Sequence, residues 1–220
     1  MNTKINLKWV YRVFFMLIAW YALFGHFVQI VVHRAPEATF LGALINYFSY
    51  FTIQSNWLVA LWWVFAIFAS RNANLQWFLS PKVKGALTVY ITVTFSVYAV
   101  LLSSLYQPTG FDWLIVTITH YVTPLAFILD WILFEERGVY QWRYLSAWIL
   151  YPVAYFAYAM IYGAITRGGT DLGWGGTVLG WGGMFLQVAL LLVFFIALGS
   201  VYIKLNRLMK KPEQVQSKEG

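Results

Sequence analysis

Apolar residues in this chain gather into six long stretches, roughly 8–33, 43–69, 85–106, 112–134, 144–166 and 178–203. Each is close to the about 20 residues that a helix needs to cross the hydrocarbon of a bilayer. The connections are short, and no Ser-, Pro- or charge-rich linker divides the chain, so the pattern predicts one domain. The expected fold is all-α: a polytopic membrane protein built as a bundle of six transmembrane helices over residues 1–206. Residues 207–220, ending KKPEQVQSKEG, are expected to form a disordered basic tail in the cytoplasm.

Composition agrees with that reading. The 220 residues are 61% hydrophobic and only 10% charged, a balance that a soluble domain cannot keep off its surface. The first stretch follows Lys4 and Lys8 as a signal peptide would, but its apolar part is too long and no small-residue cleavage site follows, so it is read as a permanent helix. The chain has no cysteine, which excludes disulfides, thiolate catalysis and Cys-ligated metals.

The net charge of +7 invites a nucleic-acid reading, yet its placement argues for membrane topology. Thirteen of the 15 Lys and Arg residues fall at the N-terminus, in the second and fourth loops and in the tail, against Arg34 and Arg167 on the other side. Basic loops stay cytoplasmic, so both termini are expected inside. No nucleic-acid partner is expected.

Polar residues within the stretches are few, and ionisable groups inside a bilayer usually face the bundle interior. His26, His120 and Asp130 are the intramembrane candidates, with His33 and Asp112 near helix ends. At about 1.5 Å per residue, His26 is about 10 Å, His120 about 12 Å and the Thr52, Ser55 and Asn56 group roughly 14 to 20 Å below the outer surface. Helical spacing sets Ser49, Thr52, Ser55 and Asn56 on one face, and His26, Gln29 and His33 on another. Asp112, Thr119, Thr123 and Asp130 share a third, with His120 at its border, and Tyr151, Tyr155, Tyr158 and Tyr162 a fourth. If these faces meet, they enclose a polar pocket that opens outward. Competing structural roles are an interhelical hydrogen bond for Asn56 and an ion pair with Arg137 or Arg143 for Asp130. Gly173, Gly176, Gly180 and Gly183, from the repeated GWGG, form a small-residue face suited to close helix packing.

A threonine hydroxyl attacks a carbonyl only when a base removes its proton, and histidine is the usual base. Thr52 and His120 are therefore the catalytic candidates, with Asn56 and Ser55 as oxyanion donors and His26, Thr123 and Asp130 as supporting polar groups. There is no GxSxG, HExxH or glycine-rich phosphate loop, and the three histidines lack metal-ligand or paired-haem spacing. No metal or cofactor is expected.

YFTIQSNWLV at 50–59 and HYVTPLAFILDW at 120–131 together carry a family likeness. They resemble the Pr6Pr-type bacterial six-helix membrane proteins and, more distantly, the eukaryotic androgen-induced, FAR-17a-like membrane proteins. The resemblance implies a bacterial cell-membrane protein of the same six-span plan. It also implies a threonine hydrolase of fatty acid esters of hydroxy fatty acids, with Thr52 as nucleophile and His120 as base. In the eukaryotic element the asparagine follows its threonine by three residues, whereas Asn56 follows Thr52 by four. Ser55 is accordingly the alternative nucleophile. The expected function is hydrolysis of lipid esters within the bilayer, with membrane lipids as partners. The alternatives are a small transporter or ligand-binding protein whose polar faces line a pathway, and a structural membrane subunit.

Overall fold

The computed structural model describes residues 6–68, 72–166 and 180–209, and all regular structure within them is helical. Helix α1 spans Leu7–Phe27 and continues through a π-helical turn, Val28–Val32. A short α2, Phe40–Phe48, precedes α3, Phe51–Phe68. Helix α4, Pro81–Val97, also ends in a π turn, Tyr98–Leu102. Helix α5, Gly110–Thr117, runs through a third π turn, Ile118–Val122, into α6, Thr123–Phe134. Helices α7, Tyr144–Thr166, and α8, Gly180–Leu208, complete the chain.

Six of these helical runs are long and apolar enough to cross a membrane, which makes this a multi-pass membrane protein. They cover Leu7–Val32, Phe51–Phe68, Pro81–Leu102, Gly110–Phe134, Tyr144–Ile165 and Phe185–Leu208, close to the six apolar stretches of the sequence. Large apolar side chains such as Phe24, Leu150 and Ile165 are exposed on the outside of the bundle. Such a surface suits lipid and not water. Residues 210–220 of the expected tail and Gly173 and Gly176 of the glycine face lie outside the described residues. Helix α8 continues through Leu208, two residues past the expected domain boundary.

Start signals are local and legible. Asn6 caps α1 by accepting the Trp9 N–H, and Thr39 caps α2 by accepting that of Gly42. Ser80 caps α4 by accepting the Val83 N–H, with Pro81 in the first turn, where a missing N–H costs nothing. Helix α4 is the centre of the bundle, against α3, α6 and α8, while α1 packs on α3, α5 and α6, and α7 on α8. Its apolar residues are buried nearly all round, as a central helix requires. Gly85 lets α7 come close: a methyl group there would run into Trp148 Cζ2 and meet Tyr140 Cζ at 3.0 Å. We expect Gly85→Ala to lower stability by about 1–3 kcal/mol through overpacking, read as an earlier unfolding transition in detergent.

The second apolar stretch corrects the expectation of one helix over 43–69. The chain breaks at Ser49 and Tyr50, and the polar residues of the break answer for the backbone groups it frees. The Tyr155 hydroxyl accepts the Phe51 N–H at 3.0 Å and donates to the Ser49 carbonyl at 3.1 Å, bridging both helix ends. The Gln54 amide donates to the Phe48 carbonyl at 2.7 Å, and its oxygen accepts the Tyr151 hydroxyl at 2.6 Å. A broken helix is tolerated at membrane depth only where such groups are satisfied internally. This is why hydroxyls and amides interrupt so apolar a region.

Candidate functional site

The break sets Thr52 in the first turn of α3, facing the π turn that carries His120. Thr52 Oγ1 lies 3.2 Å from His120 Nε2. The other ring nitrogen, Nδ1, lies 3.1 Å from the Val116 carbonyl oxygen and 3.2 Å from Thr119 Oγ1. A carbonyl oxygen can only accept, so Nδ1 carries the ring proton and Nε2 offers its lone pair to Thr52. Thr119 fits the same assignment, because its own hydroxyl donates to the Ile115 carbonyl at 2.9 Å and so accepts from Nδ1. Tyr98 stacks on the imidazole with ring centroids 3.9 Å apart, fixing its plane.

The local geometry has a cause in sequence. Pro124 has no N–H to donate to the His120 carbonyl one turn back, and the helix widens into a π turn immediately before it. The widened turn carries His120 toward α3. Tyr98 lies in a π turn of its own, on α4. π turns are disproportionately found at functional sites.

Thr52 and His120 border a cavity of about 690 Å³, within the range of small-molecule sites. Apolar walls come from Ile53, Val93, Val97, Phe156, Leu191 and Phe195, and polar groups from His26, Gln29, Thr94, Asp112 and Thr119. The lining reaches Leu105, Tyr106 and Asp112, which are exposed, so the cavity opens at the α4–α5 end. In the opposite direction it stops short of Asn56, Trp63 and Phe127, which are buried.

The other residues expected at the site divide. His26 lines the cavity, with its ring 5.6 Å from that of Tyr47 and its Nδ1 buried with no hydrogen-bond partner among the described residues. Ser55 is 1% exposed and absent from the lining, and its hydroxyl contacts Thr94 Oγ1 at 2.9 Å and the Thr52 carbonyl at 3.0 Å. It packs away from His120's free lone pair, which favours Thr52 of the two hydroxyls. Asn56 is not placed to donate to an oxyanion. Its amide donates to the Thr52 carbonyl at 2.8 Å and the Thr119 carbonyl at 3.0 Å. These two bonds tie α3 to the histidine-bearing turn, the interhelical role that competed for this residue. Thr123 is buried with its hydroxyl unpartnered and does not line the cavity. His33 is exposed at the end of the first π turn.

Asp130 belongs elsewhere, and its expected partners are wrong. Arg137 donates instead to the Trp131 and Ile132 carbonyls. The Asp130 carboxylate, fully buried, receives Arg12 Nε at 2.8 Å and Arg12 Nη2 at 2.9 Å, and also pairs with Lys84. Lys84 reaches Glu135 at 3.3 Å as well, so two cations face two anions. Arg12 and Lys84 both sit over the Trp62 ring, at 4.8 and 4.6 Å. The charge pattern alone assigns Arg12 to the N-terminal segment and Lys84 to the second loop, yet both lie inside spanning helices. Glu135, just past α6, has its carboxyl pushed up by burial, with Lys84 opposing. This ion-pair network clamps α1, α4 and α6 together, away from the cavity.

Sequence reasoning missed Tyr98 and the Val116 carbonyl. The first looks like any of the 15 tyrosines, and the second has no side-chain signal at all. Comparison with protein-family models, with curated proteins and with solved structures finds no match to the chain, so the functional reading rests on the Thr52–His120 geometry and the cavity it borders.

Proposed function

We propose that this protein is an integral membrane hydrolase of fatty acyl esters, with Thr52 as nucleophile and His120 as acid and base. The observation that carries this is the 3.2 Å contact of Thr52 Oγ1 with the unprotonated nitrogen of His120, at the wall of a mostly apolar cavity. Thr52 Oγ attacks the ester carbonyl carbon as its proton passes to His120 Nε2. The tetrahedral intermediate expels the alcohol, which takes that proton, and leaves the acyl group on Thr52. Water, deprotonated by the same nitrogen, then releases the fatty acid and restores the hydroxyl.

Developing negative charge needs a donor that the Asn56 amide does not provide. The first-turn amides of a helix have no intrahelical acceptor, and that end of the helix dipole is positive. In α3 those of Phe51, Ile53 and Gln54 are taken by the Tyr155 hydroxyl and the Tyr50 carbonyl. The N–H of Thr52 itself is left for the oxyanion.

In this reading the excess of basic residues supports a cytoplasmic Arg12–Asp130–Lys84 end, both termini with it, and a cavity in the outer half of the membrane, which the family resemblance makes a bacterial cell membrane. A one-ended cavity suits an ester site better than a transport pathway, which must reach both surfaces. The test is incubation of the purified protein in detergent with a neutral long-chain ester and, separately, with a long-chain fluorophosphonate. Expected are turnover and a covalent adduct on the peptide carrying Thr52, found by mass spectrometry. Absence of both sinks the reading.

A further inference from the structure

The charge of the cavity lining narrows what it accepts. Among the described residues that line it there is no Lys or Arg, and the one carboxylate is Asp112, at the open end. Asp112 takes part in none of the ion pairs among the described residues, and its hydrogen bond is from the Gln29 amide. Gln29 and His26 line the same end. A carboxylate in this setting accepts hydrogen bonds and repels negative charge, most strongly at low salt because it is exposed. At the closed end the first groups met are Thr94, Thr119 and the Thr52–His120 pair, all uncharged while the histidine is neutral.

We infer that the cavity selects a single-chain lipid whose polar head is not anionic and donates hydrogen bonds, a hydroxyl-bearing head such as an acylglycerol's or an ammonium head, with Asp112 as the selecting group. The acyl chain lies along the apolar wall of α4 and α8, the ester reaches Thr52, and the head stays at the Asp112 and Gln29 end. A lipid ending in a free carboxylate, as a fatty acid ester of a hydroxy fatty acid does, meets Asp112 with like charge and is disfavoured. This inference rests on the cavity being the substrate site, the premise of the hydrolase reading, but not on hydrolysis itself.

Non-hydrolysable ethers separate the two. Oleyl ethers of glycerol, ethanolamine and glycolic acid present the same chain with a neutral, a cationic and an anionic head. Their displacement of a fluorescent fatty acyl probe would be measured on the protein in nanodiscs at fixed low salt. The glycerol and ethanolamine ethers are expected to displace the probe at concentrations at least about tenfold lower than the glycolate ether. Asp112→Asn should shrink that gap to about threefold or less, and Asp112→Glu should keep it. The inference is overturned if the glycolate ether competes as well as the others, if Asp112→Asn leaves the selectivity as it was, or if none of the three displaces the probe. Charge selection by a protein that hydrolyses no ester overturns the hydrolase reading alone.

Discussion

Thr52→Ala and His120→Ala are each expected to reduce ester hydrolysis by about a thousandfold or more, and the double variant should be no slower than the worse single one. The reason is that the two groups act as a unit: without the base the hydroxyl is not deprotonated, and without the hydroxyl the base has nothing to activate except water. Ser55→Ala is the control. Its hydroxyl bonds to Thr94 and to a backbone carbonyl, so its loss costs about 1 kcal/mol of stability and leaves turnover within a few-fold of wild type. Hydrolysis that survived Thr52→Ala but vanished in Ser55→Ala would assign the nucleophile to Ser55. Survival in both would remove the α3 hydroxyls from the chemistry. Initial rates on a neutral long-chain ester, for variants that share the wild-type elution profile, decide between these outcomes.

The second large effect is on folding. Asp130→Asn is expected to destabilise the protein by about 3–5 kcal/mol, because it leaves Arg12 and Lys84 buried with only Glu135 to balance them. That is a substantial fraction of the about 5–15 kcal/mol by which folded domains usually exceed their unfolded chains. The double variant Asp130→Asn, Lys84→Met should recover part of the loss by removing one stranded cation. Unfolding by denaturant in a fixed detergent measures both. A single variant within about 1 kcal/mol of wild type would show that water or a rearranged Glu135 already compensates the network.

These two predictions concern opposite ends of the bundle, and the sequence read them unequally. Depth and chemistry pair Thr52 with His120 in the sequence, although that reading takes 43–69 as one continuous helix. The two side chains meet because the break restarts the helix at Phe51 and leaves Thr52 level with the widened turn of His120. Asp130 was legible as an inward-facing acid but not in its partners. Arg12 is 118 positions away and Lys84 46, and the nearer Arg137 turns to backbone carbonyls instead. Asn56 shows a similar limit: periodicity gives the face that holds it, but whether its amide is free depends on which carbonyls a neighbouring helix presents.

By itself the sequence determined the class of protein and its six spans, because an apolar run of sufficient length has no stable alternative to a buried helix in lipid. The helix starts at Asn6, Thr39 and Ser80 also rest on local sequence, since capping needs only residues within one turn, although the apolar pattern alone put them at about 8, 43 and 85. What only the tertiary structure decided is the rotation of each helix and where helices break. Tyr155 closes the gap between α2 and α3, Tyr98 stacks on His120, and Val116 fixes which imidazole nitrogen faces Thr52. Each is a directional contact of a few ångströms, most of them between segments far apart in the chain. Hydrophobic burial is non-directional and can be read from pattern, whereas hydrogen-bond partners exist only once the packed helices have set their angles.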